Sequence, residues 1–147
     1  MNRRTRPSDL LIPFLILGVL SYLLLQAAYG SLPPFQWFTV VPIGALALIE
    51  FVIANRVRGA VRHRPDARPM TALAVARAVA LGKASALVGA ALAGAELALV
   101  SYVLPDAGRT TAARHDLQVA LVLLVVTVLL LVAGLLLERA GIDPGHR

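Results

Sequence analysis

The sequence predicts an all-α integral membrane protein, a four-helix bundle forming one membrane domain over residues 1–147 with both termini cytoplasmic. Three observations predict it. Hydrophobic residues make up 59% of the chain and charged residues 15%, against the roughly 25% charged residues of a soluble domain. Mean hydropathy is +0.79, and four apolar runs each approach the ~20 residues that a helix needs to cross hydrocarbon. Basic side chains gather on alternate connections between those runs, the pattern of a multi-pass chain.

The first run goes from Leu10 to Tyr29, after Arg3, Arg4 and Arg6. Ser8 or Asp9 is available as its N-cap, and Pro13 is placed in the first turn, where a missing N–H is harmless. A basic start before an apolar stretch also describes a secretory signal peptide. The run is longer than a signal's apolar region, and Leu25-Gln26-Ala27-Ala28-Tyr29 offers no A-x-A cleavage pair, so an uncleaved first span is expected. Pro33 and Pro34 stop the helix, and Tyr29 and Trp37 suit a membrane interface.

The second span runs from Phe38 to Ala54, with Pro42 near its start and Glu50 about one turn from its end. The basic cytoplasmic loop region 55–70 follows, expected as an extension of the second helix and then a loop, because of Pro65 and Pro69. Thr71 is expected to cap a long third helix whose membrane part covers 84–104, and Pro105-Asp106-Ala107-Gly108 reads as a turn. Thr111 or Asp116 is expected to cap the fourth span, 117–137. That span is uncharged, Leu/Val on every side, with Thr127 and Gly134 as its only breaks. It is expected to have the largest lipid contact.

Of the 14 Lys and Arg residues only Arg109 and Arg114 fall in the connections of the opposite side. The positive-inside rule therefore places a multi-pass protein in the plasma membrane with its N and C termini and its middle loop in the cytoplasm. A net charge of +6 could also point to nucleic acid. Aromatic residues are only 5% of the chain and the charge sits between apolar runs, so no nucleic-acid partner is expected. Arg56, Arg58, Arg62 and Arg64 are candidates for contact with anionic lipid headgroups, each worth ~1 kcal/mol near a charged surface.

No cysteine is present, which excludes disulfides, thiol catalysis and thiolate metal sites. His63, His115 and His146 lie in different connections without metal-ligand spacing, and neither a phosphate-binding glycine loop nor a G-x-S-x-G elbow occurs. No catalytic set, cofactor or metal is expected.

The polar residues inside the membrane carry the remaining signal. A charge at a helix centre costs roughly 2.5–3.5 kcal/mol on insertion scales, so such residues face the bundle and find partners. Glu50 is expected to meet Lys83, with Arg77 also in reach from the start of helix three. Glu96 lies near the middle of span three, where Gln26, Tyr102 and Thr127 are its candidate hydrogen-bond partners. Read functionally, Glu96 is a proton or cation site; read structurally, it fixes helix packing. Gly82, Ala86, Ala90, Gly94 and Ala98 recur at four-residue spacing, and Gly89 and Ala93 widen that face. Small residues let helix backbones approach closely in lipid, so helix three is either the centre of the bundle or a contact for a protein partner or a second copy.

Tyr29-Gly30-Ser31-Leu32-Pro33-Pro34 with Trp37, then Arg77-Ala78 and Lys83-Ala84-Ser85 on a Gly/Ala-rich third helix, form an ordered set of motifs. With them the chain resembles a family of small four-span membrane proteins of actinobacteria known as a domain of unknown function, often encoded beside folate-biosynthesis genes. The resemblance covers nearly the whole chain. It implies a four-span fold and an association with folate or envelope metabolism, and it implies no activity.

The expected function is a non-enzymatic scaffold or accessory subunit of a cell-envelope or membrane complex, with helix three as contact element. The alternative is a small proton-coupled carrier or channel using Glu96. An enzyme on lipid-linked substrates would have only Glu50 or Asp106 as its acid–base group, and it ranks last.

Overall fold

The computed structural model of the chain describes residues 5–33, 36–62 and 69–141. Among them all regular structure is helical, and four helices are long and apolar enough to cross a membrane. These are α1 (Pro7–Ala28), α2 (Val40–Val61), α3 (Ala72–Val103) and α4 (Thr111–Ala140), joined by short 3₁₀ turns at Tyr29–Ser31, Trp37–Thr39 and Leu104–Asp106. Arg3, Arg4, Pro34, His63, Arg64, Pro65, Arg68 and His146 lie outside the described residues.

Local chemistry fixes the helix starts. Pro7 opens α1 at a position where its missing N–H costs nothing, and the Arg6 N–H donates to Asp9 Oδ2 at 2.9 Å. Asp9 therefore closes the start from inside the first turn, and Pro13 falls within the helix rather than in its first turn. Thr71 caps α3, its Oγ1 accepting from the Ala74 N–H at 3.3 Å. Thr110 caps α4 in the same way from Ala113 at 3.2 Å, one residue before the expected Thr111, which leaves Asp116 without a capping role. α2 continues through Asn55 to Val61, because Gly59 alone is tolerated in a helix and no proline interrupts before Pro65. Arg56 and Arg58 thus stand on α2.

The helices pack in the order α1–α3–α4–α2. α3 and α4 form the central pair, α1 lies along α3, and α2 lies along α4 while touching α3 only over a short stretch. Glycine sets the centre. A Cβ on Gly82 would stand 2.6 Å from the Gly134 carbonyl oxygen and 2.9 Å from the Glu138 nitrogen. A Cβ on Gly134 would stand 2.6 Å from the Gly82 oxygen and 2.7 Å from the Ala86 nitrogen. The two backbones are in direct contact, the approach that only small residues permit. Further along, Gly89 lies against the Leu131 backbone, and Gly94 turns to α1, against the Phe14 carbonyl. The small-residue stripe therefore serves two neighbours of the same chain, and Gly82, Ala86, Gly89, Ala90, Gly94 and Ala98 are all buried.

The expectation for the fourth span is overturned. In its most apolar window 39% of α4 is buried, the same share as α3, whereas α1 has 6% and a single buried residue, Leu25. The buried positions of α4 include Ala113, Ala120, Thr127 and Gly134 at one seventh-residue step and Asp116, Leu123, Leu130 and Leu137 at another. That is the 3.5-residue seam of a coiled coil. Leucine and valine on the remaining faces hide this seam from a reading by composition. The helix with the smallest buried share is α1.

Candidate functional site

Polar side chains enter the apolar helices at four levels. Midway along α2, Glu50 is 0% exposed, and the Ser85 hydroxyl of α3 donates to its Oε1. Its Oε2 is enclosed and accepts no hydrogen bond among the described residues. α2 runs on to Val61, so Glu50 stands at the middle of its helix. Its partner differs from the expected Lys83. Residues two apart on an α-helix diverge by about 200°, so with Ser85 turned to α2, Lys83 is turned to the other flank of α3. Lys83 and Arg77 are both exposed.

Glu96 lies on α3 about 16 Å from Ser85 along the helix and within about 20° of it around the axis. The two acids, one on α2 and one on α3, thus belong to the same flank of the central pair. Glu96 is half-buried, and its Oε2 is enclosed without a partner among the described residues. None of its three expected partners meets it. Gln26 is exposed on α1, the Thr127 hydroxyl donates to the Leu124 carbonyl at 3.0 Å, and the Tyr102 ring packs on Tyr22 and Tyr29.

The third level is the aromatic end, where α1 and α3 finish and α2 and α4 begin. Tyr29 donates its O–H to Asp116 Oδ2 at 2.7 Å, and Asp116 is only 7% exposed. His115 Nδ1 lies 3.6 Å from Asp116 Oδ1, and Trp37 meets the His115 ring at 6.2 Å and 88°. At the opposite, basic end the buried Glu138 accepts the Thr5 N–H at 2.8 Å, which ties the start of the chain to the end of α4. Sequence reasoning missed Asp116 and Glu138 as buried ties. Asp116 was legible in principle, since it stands seven residues before Leu123 on the buried seam.

Residues 10–144 match the family described as "Protein of unknown function (DUF3180)". The chain belongs to that family. No curated protein and no solved structure matches it.

For this DUF3180 member the geometry separates carboxyls with partners from a carboxyl without one. Asp116 and Glu138 close the two ends, and Glu50 ties α2 to α3 through Ser85. Glu96 alone among these four accepts no hydrogen bond from the described residues. Of the headgroup candidates, Arg56 and Arg62 are exposed and Arg58 is half-buried on the basic end of α2, and Arg64 is outside the described residues. Among the described residues no group of His, Asp and Glu could hold a metal ion.

The Tyr29–Asp116 tie gives a direct expectation. Tyr29→Phe removes the donor but keeps the ring, leaving an enclosed carboxyl short of one hydrogen bond, which costs about 1–3 kcal/mol. Thermal unfolding followed by circular dichroism in detergent should show the loss. Asp116→Asn keeps an acceptor for Tyr29 and should lose less. Equal stability of Tyr29→Phe and wild type would rule the tie out.

Proposed function

We propose that the protein is a non-enzymatic accessory or scaffold subunit of a membrane complex, and that it binds its partner within the bilayer through the flank of α3 that carries Glu96. The observation that carries this reading is the half-buried Glu96 with an enclosed, unpartnered oxygen. A carboxyl in hydrocarbon that finds no partner among the described residues costs free energy until another group supplies one. The small-residue stripe, engaged by α4 and α1, supports the role of α3 as the rigid element that presents Glu96. A transmembrane helix with a hydroxyl, amide or basic side chain at matching depth, from a partner protein or a second copy, fits that carboxyl.

The plasma membrane as its location and the cytoplasmic side for both termini belong to the same proposal. The segregation of arginine and lysine supports them. Contacts of Arg56, Arg58, Arg62 and Arg64 with anionic headgroups on that side are part of it. The actinobacterial origin and the link to folate or envelope metabolism rest on the resemblance alone.

A second reading, a small proton-coupled carrier, is favoured by the position of Glu50 and Glu96 on one flank of the central pair. One pair of variants separates the two. Glu96→Gln keeps hydrogen-bonding capacity and cannot exchange a proton, whereas Glu96→Leu loses both. In affinity purification from native membranes the accessory-subunit reading expects a partner, or a second tagged copy, with wild type and Glu96→Gln and a several-fold loss with Glu96→Leu. Full recovery with Glu96→Leu overturns it. A pH-driven flux in liposomes that Glu96→Gln abolishes would establish the carrier instead.

A further inference from the structure

The aromatic end holds a titratable group that the proposed function does not use. His115 meets Trp37, which leads into α2, and stands beside Asp116 on α4; Asp116 in turn holds Tyr29 at the end of α1, and Tyr102 of α3 packs on Tyr29. We propose that His115 is a proton-sensitive clasp, whose charging tightens the hold of α4 on the segment that leads into α2.

Asp116 is 7% exposed, so its oxygens depend on donors from the protein. Tyr29 supplies one on Oδ2. On the other side His115 Nδ1 stands 3.6 Å from Oδ1, too long for a good neutral hydrogen bond and well within ion-pair distance. A proton on the imidazole adds attraction to the carboxylate and gives the Trp37 ring, 6.2 Å away, a cation as neighbour. Imidazole is the side chain that changes charge between about pH 5 and 8. The other ionisable groups at this end are Asp116 and Arg114 on α4, Tyr29 on the α1 end, Tyr102 on α3, and the Asp106–Arg109 pair of the connection. The segment leading into α2 brings aromatic and polar residues and no ionisable one. His115 is the imidazole among them.

Trp37 is the single tryptophan of the chain, so its emission reports on this contact directly. The full-length protein in phosphatidylcholine nanodiscs, titrated from about pH 8 to about pH 5, is expected to lose Trp37 emission reversibly along a one-proton curve. Protonated imidazole is the better quencher of indole. His115→Gln, with its helical circular-dichroism signal unchanged, should give a flat titration. Backbone hydrogen exchange over residues 36–39, corrected for intrinsic rates, should slow at low pH in wild type and not in His115→Gln. A flat wild-type titration, the same curve in His115→Gln, or exchange that does not distinguish the two proteins at low pH overturns the clasp.

Discussion

Gly134→Leu is expected to open the centre of the molecule and to cost about 3 kcal/mol, the upper end of what overpacking exacts. The reason is that both sides of the contact are backbone. A first side-chain carbon at residue 134 already meets the Gly82 oxygen at 2.6 Å and the Ala86 nitrogen at 2.7 Å, and neither can rotate away. Even Gly134→Ala should therefore lose stability, and Gly82→Ala should do the same against Gly134 and Glu138. Gly44 and Gly30 are the controls. A Cβ on Gly44 makes an ordinary contact with Val126 at 3.7 Å and one on Gly30 meets nothing within 4 Å, so alanine at either should be nearly neutral. Unfolding by heat or by dodecyl sulfate in mixed micelles, followed by circular dichroism, reads all five variants against the wild type. A Gly134→Leu variant as stable as the wild type would mean that the α3 and α4 backbones do not touch.

Glu50→Ala is expected to be the second large loss, about 2 kcal/mol or more, as for other large buried side chains truncated to alanine. Glu50 is 0% exposed and fills space between α2 and the central pair. α2 reaches α3 only over a short stretch, so the bond from Ser85 is a principal tie between them. Glu50→Gln keeps the shape and an acceptor for Ser85 and should stay close to wild type. Ser85→Ala removes one intramembrane hydrogen bond and should cost about 0.6 kcal/mol, the average of such bonds. The same unfolding assay checks the series. If Glu50→Gln is as weak as Glu50→Ala, the side chain acts through its charge and the packing account fails.

The four spans and the packing role of helix three were legible because composition and residue size show them directly. Gly82, Ala86, Gly89 and Gly94 stand out against leucine and valine, and the structure seats them against α4 and α1. The equal share of α4 was not read, because a helix that is apolar all round shows no face by hydrophobicity. Its signal was residue size at seven-residue spacing, from Ala113 through Ala120 and Thr127 to Gly134. Glu50 was recognised as a buried acid but given the wrong partner. Charge pairing pointed to Lys83, and helix phase chose Ser85. Asp116 looked like a cap because it preceded an apolar run, and only the start of α4 at Thr111 turned it inward towards Tyr29.

The helix order α1–α3–α4–α2 underlies both the buried glycine contact and the presentation of Glu96 on the flank of the central pair. The chain has no cysteine, so introduced pairs form an unambiguous test in native membranes. Cysteines at Gly44 on α2 and Val126 on α4 should cross-link readily, since a Cβ at 44 lies 3.7 Å from the Val126 side chain. Cysteines at Gly44 and at Gly18 on α1 should stay uncoupled, with α3 and α4 between them. Efficient coupling of residues 18 and 44, with none between 44 and 126, would contradict the arrangement.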